Sequence, residues 1–71
     1  MDFKTWLLLE GYEIFDGEVF IEDVKGDDKF PITDNFDIML RYLNTRLASR
    51  EAKQSLLDTY EEYYYTCKYN K

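Results

Sequence analysis

Fifteen acidic side chains and a single thiol are the groups of this 71-residue chain that could do chemistry, and no histidine accompanies them. Two carboxylate pairs, Asp27-Asp28 and Glu61-Glu62, have the residue types of a general acid/base dyad. A dyad needs both carboxylates to converge on one substrate. Sequence neighbours on a helix or turn point apart, so a solvated acidic surface is the simpler reading of both pairs. Asp23, Asp27 and Asp28 offer oxygen ligands for Ca²⁺ or Mg²⁺, but their spacing is not that of an EF-hand loop. Cys67 has no imidazole to activate it and sits among apolar helical positions, which makes it a structural thiol. One cysteine allows no intramolecular disulfide, and with no histidine the usual nitrogen and sulfur zinc site is excluded. The three glycines stand singly and form no phosphate-cradling loop. The chain therefore reads as a non-enzyme, with no catalytic residue, cofactor or metal site.

Two further groups could serve binding. Tyr60, Tyr63, Tyr64, Tyr65 and Tyr69 are dense enough to suggest a platform for stacking bases, but such platforms come with a basic groove and this chain carries a net charge of −6. Tyr60 and Tyr63 fit a core stripe, and Tyr64 and Tyr65 fit its edges with their hydroxyls in water. The charge itself is unevenly placed. Residues 10–37 carry ten acids against Lys25 and Lys29, a balance of −8, whereas residues 38–56 carry Arg41, Arg46, Arg50 and Lys53 against Glu51, a balance of +3. Arg46, Arg50 and Lys53 would share one face if the last helix began early. An acidic surface between Glu18 and Asp28 is available to meet them.

The elements that must hold these groups are read from periodicity and caps. A first helix, residues 1–11, is capped by Asp2, turns Phe3, Trp6 and Leu7 to the core and stops at Gly11. Residues 16–26 read as a second helix with Phe20 and Val24 inward and Asp16 or Gly17 as its cap. The rival is a hairpin about Asp16-Gly17 that pairs Tyr12 to Phe15 with Val19 to Ile21. Pro31 holds Phe30 extended. Thr33, Asp34 or Asn35 then caps a third helix, residues 34–45, with the stripe Phe36, Met39, Leu40 and Leu43. Ser49 caps the last helix, residues 49–67, in which Leu56, Tyr60 and Tyr63 face inward. A chain this short buries only about 60% of its unfolded surface, so dense side chains must supply its stability. Seven Tyr, five Phe and one Trp do so. The apolar run Trp6-Leu7-Leu8-Leu9 is too short for a signal h-region or a membrane span, and a reducing cytoplasm is the compartment that follows.

The order of these features resembles a known family. Phe3-x-x-Trp6-Leu7, then Asp27-x-x-Phe30-Pro31, Asp34-x-Phe36-x-Ile38, Tyr42-Leu43 and Tyr60-Glu61-Glu62-Tyr63 are similar to the YozE-like family of small bacterial proteins, over nearly the whole chain. The resemblance implies a fold like the sterile alpha motif (SAM) domain. It implies an interaction module and transfers no catalytic residues.

The expectation is thus an all-α, SAM-like bundle of four or so helices over residues 1–71. Its core is Phe3, Trp6, Leu7, Phe20, Val24, Phe30, Phe36, Met39, Leu40, Leu43, Leu56, Tyr60 and Tyr63. Its function is to bind another protein, or a second copy of itself, through Glu18, Glu22, Asp23, Asp27 and Asp28, through Arg46, Arg50 and Lys53, or through both. An acidic phage- or plasmid-type inhibitor that mimics nucleic acid is the alternative, and direct nucleic-acid binding comes third.

Overall fold

Asp2 begins the fold by accepting hydrogen bonds from the Thr5 backbone N–H at 2.9 Å and the Thr5 hydroxyl at 2.8 Å, which closes the first helical turn. The structure is a computed structural model that describes residues 1–15 and 19–69, with side chains to Cys67. The described residues are helical and contain no strand. Helix α1 covers residues 3–14 in three stretches: Phe3–Trp6, a π-helical turn at Leu7–Gly11, and Tyr12–Ile14. Helix α2 is Val19–Gly26, α3 is Phe36–Thr45, and α4 is Arg50–Tyr63 with a π-helical continuation at Tyr64–Tyr69. Each of α1, α2 and α3 packs against α4. The radius of gyration, 11.2 Å, matches the value of about 11 Å for a compact chain of this length.

Caps explain where the later helices start. Asn35 accepts from the Ile38 N–H at 3.1 Å, so it is Asn35, of the three candidates, that caps α3. Thr33 supports it by accepting the Asn35 N–H at 3.1 Å. Ser49 caps α4 through the Ala52 N–H at 3.1 Å.

The first helix departs from expectation at its end. Gly11 does not stop it: the glycine is buried with φ −62° and ψ −32°, and the helix runs on to Ile14. Its role is spatial. A Cβ there would stand 2.7 Å from Leu7 Cδ1, so the missing side chain leaves room for Leu7 of the same helix, while Ile21 Cδ1 of α2 lies 3.5 Å from that point, at ordinary contact distance. The hairpin reading is overturned, because Tyr12–Ile14 and Val19–Ile21 are both helical. The expected cap at Asp16 or Gly17 lies outside the described residues.

Phe3, Trp6, Leu7, Phe20, Val24, Phe30, Met39, Leu43, Leu56 and Tyr63 form the core, joined by Ile21 and Thr59. Ile21 is buried because α2 lies between two neighbours. Phe20 and Val24 face α4 and α3, while Ile21 meets Gly11 of α1. Thr59 satisfies its hydroxyl by donating to the Ser55 carbonyl one turn back, at 2.7 Å. Phe36, Leu40 and Tyr60 are only partly buried and cover the edge. Rings dominate the interior. The centroid of Phe3 lies 5.5 Å from Tyr63, 5.9 Å from Tyr60, 6.2 Å from Trp6 and 6.5 Å from Phe30. Two phenols then tie the chain's loops: Tyr63 donates to the Met1 carbonyl and Tyr60 to the Asp34 carbonyl.

Between α3 and α4 the chain reverses in a Schellman turn. The Ala48 N–H donates to the Leu43 carbonyl at 3.0 Å and the Leu47 N–H to the Asn44 carbonyl at 3.1 Å. Leu47 occupies the left-handed position, φ 55°, which glycine normally fills, and it is 91% exposed.

Two stability effects follow. Phe3→Ala removes the ring shared by α1, α4 and the segment before α3, and should cost about 3–5 kcal/mol, much of the stability of so small a domain. A urea transition followed by far-UV circular dichroism measures it. Leu47→Gly should stabilise the fold by about 0.5–1 kcal/mol, because relief of the left-handed strain exceeds glycine's greater entropy when unfolded. The same transition, run on dilute protein, checks the sign.

Candidate functional site

Asp23 projects from the exposed side of α2 and borders three adjoining depressions. The first is acidic: Glu22, Asp23, Asp27 and Asp28 surround it, with Lys29 and Arg46. The second is a cleft between α2 and the start of α4, walled by Val19, Phe20, Ser49, Glu51, Ala52 and Ser55. The third is a half-open cavity of about 140 Å³ lined by the apolar Phe20, Val24, Phe30, Leu43, Ala48 and Ala52 together with Asp23 and Asp27. One face of the molecule thus joins a charged surface to an apolar hole.

Asp27 is the most engaged of the acids. Its Oδ2 accepts the Tyr42 hydroxyl at 2.5 Å, its Oδ1 accepts the Lys29 N–H at 3.0 Å, and its carbonyl accepts Lys4 Nζ at 2.8 Å and the Phe30 N–H at 3.2 Å. It fastens α1, the end of α2 and α3 together. The Tyr42 hydroxyl is the main reason that the Asp27 carboxyl titrates below its ordinary 3.8; burial opposes the shift, and the Lys29 N–H with the charges of Arg46 and Lys4 adds to it. The same bond raises the Tyr42 phenol above its ordinary 10.0. Tyr42 is held in turn by the edge of Phe30, 5.6 Å away at 78°, and the Arg46 guanidinium lies 5.5 Å above its ring. Nothing in the sequence pattern signals this contact, since Tyr42 falls beside the α3 stripe and its partner is fifteen residues away.

The basic trio is divided. Arg46 stands in the turn before α4, beside Asp27 and within the acidic depression, because the Schellman turn at Leu47 separates it from the helix. The last helix does not begin early enough to put Arg46 on the face of Arg50 and Lys53. Those two are neighbours on α4, Arg50 exposed and Lys53 half-buried, and neither borders any of these three depressions. Glu22, Asp23, Asp27 and Asp28 are brought together, while Glu18 lies outside the described residues.

The other groups with chemical potential are dispersed. Glu61 and Glu62 are exposed neighbours on α4, and Cys67 is a half-buried free thiol packed on the core. Tyr64 and Tyr65 are exposed and meet edge to face at 6.0 Å. Among the described residues no group of three or more Cys, Asp or Glu is placed to hold a metal ion, and no helix is long and apolar enough to cross a membrane.

The linkage of Asp27 has a fixed sign. A carboxyl whose folded value is depressed stabilises the fold above its unfolded value, and that contribution is lost as pH falls below about 4 and through the lower folded value. A phenol whose folded value is raised loses its contribution only as pH climbs past 10.0 and through the higher folded value. Tyr42→Phe should therefore return the Asp27 titration, followed by its carboxyl ¹³C shift, towards 3.8 and flatten the acid limb of stability. Asp2 should supply acid dependence that remains, because burial, which raises its carboxyl, is outweighed by the two bonds from Thr5 together with its own backbone N–H and the N-terminal charge, and the carboxyl is held low as well. Comparison with family models, curated proteins and solved structures finds no match to this chain.

Proposed function

We propose that this chain is a non-enzymatic, cytoplasmic protein–protein interaction module with a SAM-like arrangement of its four helices, similar to the YozE-like family. The observation that carries this reading is the junction at Asp23, where an acidic depression adjoins an apolar cavity. Protein interfaces have that anatomy, an apolar centre that excludes water inside a polar rim. The carboxylates here diverge over a surface or, like Asp27, are spent on the chain's own hydrogen bonds, which suits recognition better than proton transfer. Arg50 and Lys53 form a separate small basic surface on α4 for the same partner or another.

Mimicry of nucleic acid draws on charge alone and is the weaker reading. A mimic needs unengaged carboxylates in an unbroken array, whereas Arg46 sits within the acidic depression and Asp27 is bonded to Tyr42. A net charge of −6 likewise opposes direct nucleic-acid binding.

Affinity capture from the native host at low and at physiological salt tests the module. Glu22→Lys and Arg50→Glu each leave the core untouched, and at least one should reduce capture of a specific partner and its salt sensitivity. Equal capture by both variants and the parent chain would refute the charged surfaces as contacts. Salt-labile capture of a nuclease or polymerase would favour the mimic.

A further inference from the structure

Leu47 is anomalous on two counts that reinforce each other. It is an aliphatic side chain 91% exposed, and it occupies a left-handed backbone position that a glycine would fill without strain. Sequences place glycine or asparagine there, and a leucine both strains the turn and presents apolar surface to water. An outlier of this kind points to a use for the side chain. Its place in the chain supplies the use. The residue before it, Arg46, borders the acidic depression, and the residue after it, Ala48, lines the apolar cavity. Knob and hole are therefore adjacent along the chain.

We propose that two copies of this chain pair about a two-fold axis, with Leu47 of each entering the cavity of the other between Val24, Phe30, Leu43 and Ala52. A two-fold contact requires one patch to be its own complement, and an apolar knob beside an apolar hole meets that requirement. The cavity, about 140 Å³, has room for an isobutyl side chain at its opening. Charge follows the same rule. Arg46 stands next to the knob and Arg50 three residues beyond it, while Asp23 and Asp27 edge the hole, so insertion brings bases of one copy over acids of the other. The occupant's chemistry thus matches a second copy better than an acidic or purely polar segment. The contact is small and belongs at the weak end of specific interfaces.

This pairing rests on the reading of the Asp23 face as a protein contact, and pure protein tests it separately from capture in lysate. Sedimentation equilibrium at physiological salt, up to about 1 mM protein, should show a monomer–dimer equilibrium for the parent chain. Leu47→Gly, which the fold tolerates, should weaken it about 100-fold, roughly tenfold for each of the two leucines withdrawn. Leu47→Asn, which also accepts the left-handed position, should do the same. In a mixture of ¹³C-labelled and unlabelled protein, filtered nuclear Overhauser spectra should connect the Leu47 methyls of one copy to Phe30 and Val24 of the other. A parent chain that stays monomeric overturns the pairing and leaves capture of a different protein to the lysate experiment. A dimer that either variant leaves intact, or one whose Leu47 methyls contact other residues, overturns it too.

Discussion

The packing of this protein depends on Phe3. Four other rings lie within 6.5 Å of it: Trp6 from its own helix, Phe30 from the segment before α3, and Tyr60 and Tyr63 from α4. Its backbone N–H donates to the Thr33 carbonyl at 3.1 Å, so its main chain and its side chain both hold the first helix to the middle of the molecule. A chain of this length has no staples and little interior, and large rings meeting at one residue bury much area per position. The tyrosines add something phenylalanine would not. The Tyr63 ring lies inside and the Tyr60 ring at the edge of the core, while both hydroxyls reach backbone carbonyls, so each aromatic contact also settles a loop.

Asp27 performs the corresponding service on the other side. With a net charge of −6 the acids would seem interchangeable, yet their environments are different. Asp27 is drawn into the joint between α2 and α3 and held in its charged form by donors, whereas Glu22, Asp23 and Asp28 remain exposed around it. One acid holds the surface together and three give it its character. The cavity beside them exists because α2, α3 and α4 converge there with small residues, Ala48 and Ala52, in its lining.

Much of the fold was legible in the sequence, because short-range rules govern it. The caps at Asp2 and Ser49 and the inward faces at Phe3, Trp6 and Leu7 or at Met39 and Leu43 depend only on spacing of three or four residues. What spacing omits is the third dimension. Ile21 is buried because α1 closes on it past a glycine, and that glycine looks like a helix terminator until its neighbours are known. The acidic half of the candidate site was legible as a charge run. Arg46 is set apart from Arg50 and Lys53 by a leucine in a glycine's conformation that turns the chain before α4, and no residue type in that turn announces it. The Tyr42–Asp27 bond joins two helical neighbourhoods, and no periodicity encodes such a pair.

The hydroxyl of Tyr63 spans 62 residues to reach the Met1 carbonyl, and its ring closes over Trp6. During synthesis α1 is made before the aromatic lid that covers it. Until residues 60–63 have left the ribosome, Phe3 and Trp6 have only partial cover, and a helix with its apolar stripe in water is marginal by itself. Most of the native core must therefore wait for residues 60–63 before it can assemble.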